Sequence, residues 1–149
     1  MAVSLRAITK DNFQECVRLR VRDDQKFVAT NAYSIAQSKI EPENMPLAIY
    51  HDETMVGFLM YELDYRNKEL YLARLMIDQR YQHQGYGRGA LEVLKAIAMK
   101  DPGIAKITLS TKPENAYGIR VYEKFGFRDT GVLDDGEEVF VLNLAKREA

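Results

Sequence analysis

The hydrophobic positions of this chain change period several times, and each change marks an element. Val3 to Ile8 alternates apolar and polar residues and predicts a first strand. Thr9 or Asp11 can cap a helix behind it, whose apolar face is Phe13, Cys16, Val17 and Val21. Arg18 to Lys26 is a mixed charged stretch, read as a solvated helix face and loop, and a short helix starts at Ser34. Glu41 to Pro46 carries two prolines and predicts a turn. Leu47 to Tyr50 and Met55 to Leu63 flank His51 to Thr54 as a hairpin. A second turn, Tyr65 to Lys68, leads into Glu69 to Ile77. Leu70 to Ile77 has one charge, Arg74, which predicts a central strand buried on both faces. Three strands in succession predict an antiparallel meander.

Beyond Ile77 the pattern becomes helical. A polar turn, Asp78 to Gln82, precedes Gly85, Gly87 and Gly89. Apolar residues then recur at Ala90, Leu91, Leu94, Ile97 and Ala98, predicting a helix that ends near Lys100. Asp101-Pro102-Gly103 breaks the chain, and Lys106 to Thr111 is another strand. Asn115 can cap a helix over Ala116 to Lys124, which Gly126 stops. Arg128 to Leu133, the turn Asp134-Asp135-Gly136, and Glu137 to Leu144 predict a closing hairpin. The order β-α-α-β-β-β-α-β-α-β-β predicts an α+β, mixed α/β fold, with residues 1–149 forming one domain.

Composition narrows the function classes. With 149 residues, 46% hydrophobic and 29% charged, the chain can bury a core. A net charge of −1 gives no nucleic-acid footprint. No apolar run reaches the roughly 18 residues of a membrane span, and no signal-peptide pattern opens the chain. One cysteine excludes an internal disulfide and fits a reducing cytoplasm. No histidine in its segment could activate Cys16, so it reads as a small core residue rather than a nucleophile. Two histidines, His51 and His83, in separate segments do not suggest a zinc site, and no metal is expected.

The unit strand, glycine loop, helix points to an anion. Glycines let backbone approach a ligand, and the first amides of the helix have no partner within it. A plain left-handed turn before a helix is the competing reading. Among phosphate loops, a Walker A loop needs Gly-Lys-Ser/Thr, which is absent. Gly85-x-Gly87-x-x-Ala90 fits a minimal dinucleotide fingerprint, but the acid expected about 20 residues on is missing from Lys106 to Ser110. A third pattern is Gln/Arg-x-x-Gly-x-Gly/Ala, met as Gln82-His83-Gln84-Gly85-Tyr86-Gly87.

That loop, the downstream run Asn115-Ala116-Tyr117-Gly118-Ile119-Arg120-Val121-Tyr122-Glu123-Lys124-Phe125-Gly126-Phe127, and Tyr71 to Asp78 with Arg80-Tyr81-Gln82 resemble the GNAT superfamily of N-acetyltransferases. The likeness covers nearly the whole chain and is greatest to the bacterial spermine/spermidine (diamine) N-acetyltransferase group. It implies a mostly antiparallel sheet of about seven strands flanked by about four helices. It implies acetyl-CoA as cosubstrate. The amides of Gln82, His83, Gln84, Gly85, Tyr86, Gly87 and Arg88 would hold the pyrophosphate. Leu75, Met76 and Ile77 would pair with the pantetheine arm as an added strand, their amides also polarising the thioester carbonyl. Asn115 would meet the arm from the other side. Tyr122 matches the family's proton-donor tyrosine; read from the residues alone it is a buried helix tyrosine beside Ile119 and Phe125. His83 gets no catalytic role. A cytoplasmic homodimer is implied by analogy.

The implied chemistry joins an amine to a thioester. An alkyl amine is neutral in only about one molecule in 2,500 at pH 7, a cost of about 4.6 kcal/mol, so a base is needed. Related polyamine enzymes carry an acid where Ala73 stands, and another base position falls on Tyr71; neither residue is a carboxylate. Glu62, Asp64 or Glu69 could act through water, and Glu62 is the candidate, against the alternative of a surface ion pair with Arg66, Lys68 or Arg74. Glu41, Glu43, Asp134, Asp135, Glu137 and Glu138 could draw a cation. The expected acceptor is a primary amine of a small polycation such as spermidine or spermine, attacking directly in a ternary complex. The alternatives are another amine (an aminoglycoside, a peptide or a protein N-terminus) and a non-catalytic acyl-CoA-binding module.

Overall fold

The computed structural model describes residues 2–145. Strands β1 (Val3–Ala7), β2 (Met45–His51), β3 (Thr54–Asp64) and β4 (Glu69–Ile77) form the expected antiparallel meander. β5 (Lys106–Thr111), β6 (Arg128–Asp134) and β7 (Glu137–Asn143) complete one sheet of order β1-β2-β3-β4-β5-β7-β6. Among the described residues only β4 and β5 pair in parallel, because helix α3 (Tyr86–Lys100) carries the chain back between them. The fold is thus the mixed, mostly antiparallel one expected.

Strand alternation divides the core between two faces. Leu59, Leu70 and Leu72 face α3, which answers with Ala90, Leu91, Leu94 and Ala98 at helical spacing. Phe58, Met60 and Met76 face the other way, against Cys16 of α1 (Phe13–Arg18) and Leu19. Cys16 is fully buried, and burial pushes its thiol up to about 11, so it is an inert core residue. Helix α4 (Ala116–Phe125) packs Ile119, Val121, Tyr122 and Phe125 against the α3 side.

Four local expectations change. Helix α1 ends at Arg18, so Val21 lies beyond it; the Asp78 carboxylate accepts the Arg20 N–H at 2.9 Å and holds the chain extended. Helix α2 (Asn31–Ile40) starts earlier than Ser34, because Thr30 Oγ1 accepts the Tyr33 N–H and caps it. Met45 and Pro46 belong to β2 rather than to a turn: β1 reaches only as far as Leu47, so at Pro46 the strand has one neighbour and the missing donor is tolerated. β4 is central but only half-buried at Tyr71, Ala73, Arg74 and Leu75, which line a cavity.

That cavity follows from register. β4 and β5 pair from Glu69 and Lys106 to Leu72 and Leu109, and no further. β4 itself runs on to Ile77, paired with β3 alone. Met60 pairs with Arg74 and Tyr61 with Leu72, so Ala73 is the extra residue of a β-bulge where the strands part.

Gly57 makes the close pairing of β3 with the far end of β4 possible. A Cβ there would collide with the Met76 carbonyl oxygen and press Ile77 Cδ1 at 2.9 Å. Gly57→Ala is expected to destabilise the protein by about 1–3 kcal/mol, read as a lower urea midpoint at unchanged slope.

Candidate active site

The parted strands open a cavity of about 890 Å³. One wall is the inner edge of β4 from Tyr71 to Ile77, and another is Leu109 to Lys112. The glycine loop with the start of α3, the α4 residues Tyr117, Gly118, Val121 and Tyr122, and the segment from Val21 to Ala29 supply the rest.

Gly85 adopts a left-handed backbone (φ 84°) as the N-cap of α3, and it offers no side-chain cap. The first amide in this stretch to find an acceptor is that of Gly89, which donates to Gly85 O at 2.9 Å. Among the described residues, the N–H groups from Gln82 to Arg88 have no protein acceptor. They form a cluster of donors at the positive end of a fifteen-residue helix. The loop places Gln82, His83, Gly85, Tyr86, Gly87 and Arg88 on the lining, and Gln84 outside it. The Tyr86 side chain turns inward, its hydroxyl 3.1 Å from His51 Nδ1, so it offers the cavity backbone. The exposed His83 ring stacks edge-on against Tyr117 at 4.9 Å. Arg88 is exposed and lies near Glu92 at 3.9 Å.

A clasp fixes the entry to this loop. Asp78, 2% exposed, accepts from Arg20 N, from Arg80 N at 2.9 Å and from Arg80 Nε at 2.8 Å. Burial opposes its charge, but these donors outweigh burial and hold the carboxyl below its usual range.

Buried polar atoms without partners also point to the cavity. Gln25 Oε1, Arg74 Nε, Gln82 Oε1 and Ser34 Oγ are buried and unbonded among the described residues, and all but Ser34 belong to lining residues. Buried polar groups normally find partners, so these three atoms are left for water or a polar ligand to satisfy. The other atoms of these side chains are held: Gln82 Nε2 donates to Ile77 O at 3.0 Å, and an Arg74 terminal nitrogen donates to Gln37 Oε1 at 3.0 Å.

Tyr122 lies on the lining, its ring edge-on to Phe127 at 5.9 Å. Its hydroxyl has no protein partner among the described residues, and burial pushes the phenol up to about 12. It therefore stays protonated across the working range and is a donor. Asn115 also lines the cavity. Its Oδ1 caps α4 on Gly118 N at 3.2 Å, and its Nδ2 donates to Thr111 Oγ1 at 3.0 Å. Leu75, Met76 and Ile77 present the β4 edge that β5 has left.

Glu62 lies outside the lining, directly across the β3–β4 ladder from the lining residue Tyr71. Burial raises its carboxyl most, followed by repulsion from Glu43, Asp64, Glu41 and Glu69. No ion pair to Arg66, Lys68 or Arg74 forms among the described residues; it sits in a negative cluster instead. Sequence reasoning did not bring together Tyr71, Ser110 and Glu137. The Tyr71 hydroxyl lies 2.9 Å from Ser110 Oγ, which lies 3.0 Å from Glu137 Oε1, and all three line the cavity. Gln25 was equally hidden, in a stretch that reads as solvated.

A family model described as acetyltransferase (GNAT) family matches residues 5–127. A spermine/spermidine N(1)-acetyltransferase of Bacillus subtilis (strain 168) is 32% identical over 97% of this chain and all of that protein. A probable spermine N(1)-acetyltransferase of Bacillus subtilis subsp. natto is 31% identical over the same shares. Among solved structures, a spermidine N-acetyltransferase from Vibrio cholerae in complex with CoA and spermine superposes with a TM-score of 0.73 at 14% identity, over 95% of each chain. An aminoglycoside acetyltransferase in complex with coenzyme A and kanamycin gives 0.79 at 18% identity, again over 95% of each. At such identities the structural likeness concerns the fold.

The negative cluster has a measurable consequence. A carboxyl raised in the folded state penalises folding once it ionises, and the penalty vanishes below its ordinary value of about 4.3, where both states are protonated. Glu62→Gln is expected to raise Tm at pH 7 by roughly 1–3 °C and to leave it unchanged at pH 4. Thermal scans at the two pH values check this.

Proposed function

The chain belongs to the acetyltransferase (GNAT) family and is an acyltransferase, and we propose that it transfers acetyl from acetyl-CoA to a primary amine of a small polycation such as spermidine or spermine. The observation that carries this reading is the free β4 edge beside the unpaired amides of Gln82 to Arg88. An extended amide-bearing arm ending in a diphosphate fits that pair of features and little else does. The amides from Gln82 to Arg88 would hold the diphosphate. Leu75, Met76 and Ile77 would bond the arm as a further strand, with Asn115 opposite. Acetyl-CoA supplies an acyl group on a good leaving group. The residues of this chain orient it, polarise its carbonyl and place the Tyr122 proton for the departing sulfur.

The polycationic acceptor is supported by the names of the relatives and by the acids around Glu62, which adjoin the cavity at Tyr71. Glu62, together with Glu41, Glu43, Asp64 and Glu69, would lower the free energy of a bound ammonium, acting on the amine from outside the lining. In this reading the amine attacks directly in a ternary complex; the burial of Cys16 supports it by removing the one thiol of the chain from reach. Cytoplasmic residence and a homodimer belong to the same proposal; the single reduced cysteine and the exposed outer strand β6 are compatible with both.

A second reading changes only the amine. The buried, unbonded Nε of Arg74 is a donor suited to an oxygen acceptor, which a peptide or an aminoglycoside has and a polyamine lacks. A thiol-release assay over spermidine, spermine, an aminoglycoside and peptide N-termini separates the two. Polyamine turnover is expected to exceed the others, and turnover of peptides with none of spermidine overturns the choice.

Tyr122→Phe is expected to lower kcat about 100-fold with acetyl-CoA affinity within about twofold, by thiol release and calorimetry. Because the phenol is held near 12, its loss should leave the shape of the pH profile between 6 and 9 unaltered. An unchanged kcat, with chemistry rate-limiting, rejects the donor role.

A further inference from the structure

The cavity contains a chain of side-chain hydrogen bonds that neither the donor slot nor Tyr122 uses. Tyr71 on β4 and Ser110 on β5 face each other across the point where the strands part. Tyr71 is level with Thr108 in the last stretch of the ladder, and Ser110 lies just past its final pair, Leu72 with Leu109. Their hydroxyls are 2.9 Å apart, and Ser110 Oγ is 3.0 Å from Glu137 Oε1 at the start of β7. All three residues line the cavity.

Elementary donor counting fixes the direction. An ionised carboxylate only accepts, so the single hydroxyl proton of Ser110 goes to Glu137. The Tyr71–Ser110 bond then has one possible donor, the Tyr71 phenol. The phenol oxygen retains a lone pair, and it is the end of the chain that has no protein partner beyond Ser110 among the described residues. Such an end accepts from an N–H. The chain thus runs from an acceptor site at Tyr71 to a negative charge at Glu137, with each link of hydrogen-bond length.

We infer that Tyr71, Ser110 and Glu137 form a proton relay that deprotonates the acceptor amine, with Tyr71 the catalytic residue that touches it and Ser110 and Glu137 acting through it. This rests on the amine acetylation proposed above. An ammonium bound at Tyr71 breaks one N–H bond. Its proton goes to the Tyr71 oxygen while the Tyr71 proton passes to Ser110 Oγ and the Ser110 proton to Glu137 Oε1. The nitrogen gains its lone pair and Glu137 becomes a neutral carboxylic acid. The lone pair forms the C–N bond, and the C–S pair leaves with sulfur. Of the two protons the nitrogen sheds in becoming an amide, one is on Glu137 and the other balances the thiol: Tyr122 protonates sulfur and is restored by the second. Glu137 returns its proton to solvent after the product leaves. Glu62, outside the lining, has no link in this chain.

The test uses the full chain with spermidine and acetyl-CoA. Tyr71→Phe and Glu137→Gln are expected to lower kcat/KM about 100-fold at pH 7, within the range of a lost general base. The loss should shrink about tenfold per pH unit up to pH 9, because the neutral amine, about 1 in 2,500 at pH 7, becomes available from solution. Acetyl-CoA affinity by calorimetry should stay within about twofold, which also shows that the variants fold. The Tyr71→Phe/Glu137→Gln double variant should be no slower than the worse single, as for links of one chain. Ser110→Ala, which cuts the middle link, should follow the same pH trend. A loss that is constant with pH, losses that multiply in the double variant, or full activity in either single variant overturns the relay while the wild type still turns over. A wild type that binds acetyl-CoA yet acetylates no amine at any pH overturns the proposed function itself, and the relay with it.

Discussion

The hydrogen-bonded ladder between β4 and β5 stops at Leu72 and Leu109 while β4 continues to Ile77. A strand in the middle of a sheet normally satisfies both its edges. Here one edge has no strand beside it: Ile77 O accepts from Gln82 Nε2 and Ala73 O from an Arg74 terminal nitrogen, and the groups left over face water or a ligand. The bulge at Ala73 makes the departure local, by placing one extra residue in β4 without disturbing the pairing to β3 on either side. Burial on both faces then holds the strand rigid although one of its edges is open: Leu72 faces α3 and Met76 faces α1. The site is therefore an interruption in a stable sheet rather than a loop added to one.

The chemistry around that interruption is segregated by charge. Free amides and the positive end of α3 lie at the Ile77 end of the open edge. The carboxylates of Glu62 and its neighbours lie toward the Tyr71 end, on the other side of the β3–β4 ladder. Anionic and cationic groups would thus be drawn to opposite ends of one cleft, whose lining includes Tyr122, Arg74 and Gln82. The orphaned atoms of Arg74, Gln82 and Gln25 work in the same sense, since each loses less free energy when a polar ligand enters.

Much of this was legible in the residues. Alternation located the meander, the 3.6-residue period located α3, and Asn115 and Gly126 bounded α4 because capping is a local property. The glycine loop was legible as the turn that opens α3 for the same reason. What could not be read were relations across the sheet. Local pattern does not say where two paired strands part, so the half-buried state of Tyr71, Ala73 and Leu75 looked like full burial. Pro46 looked like a breaker because its tolerance depends on how far β1 reaches. Thr30 was a capping residue in plain view, but the weak apolar pattern after it hid the helix start. Glu62 was read as a possible ion-pair partner because Arg66, Lys68 and Arg74 are near in sequence, whereas Glu41 and Glu43 come near only through the fold. Tyr71, Ser110 and Glu137 lie 39 and 27 positions apart and meet only because β4, β5 and β7 are neighbours.

The Asp78 clasp ties two otherwise separate regions together. One carboxylate anchors both the first turn of the glycine loop, through Arg80, and the exit of α1, through Arg20; a return bond from Gln79 N to Arg20 O at 2.7 Å doubles the tie. Ten residues on, Thr30 pins the chain again at the start of α2. The stretch between these two posts, carrying Val21, Gln25, Phe27 and Val28 into the cavity, behaves like a replaceable panel in a fixed frame. Substitution there can reshape that wall of the cavity, while the loop from Gln82 to Arg88 stays where it is.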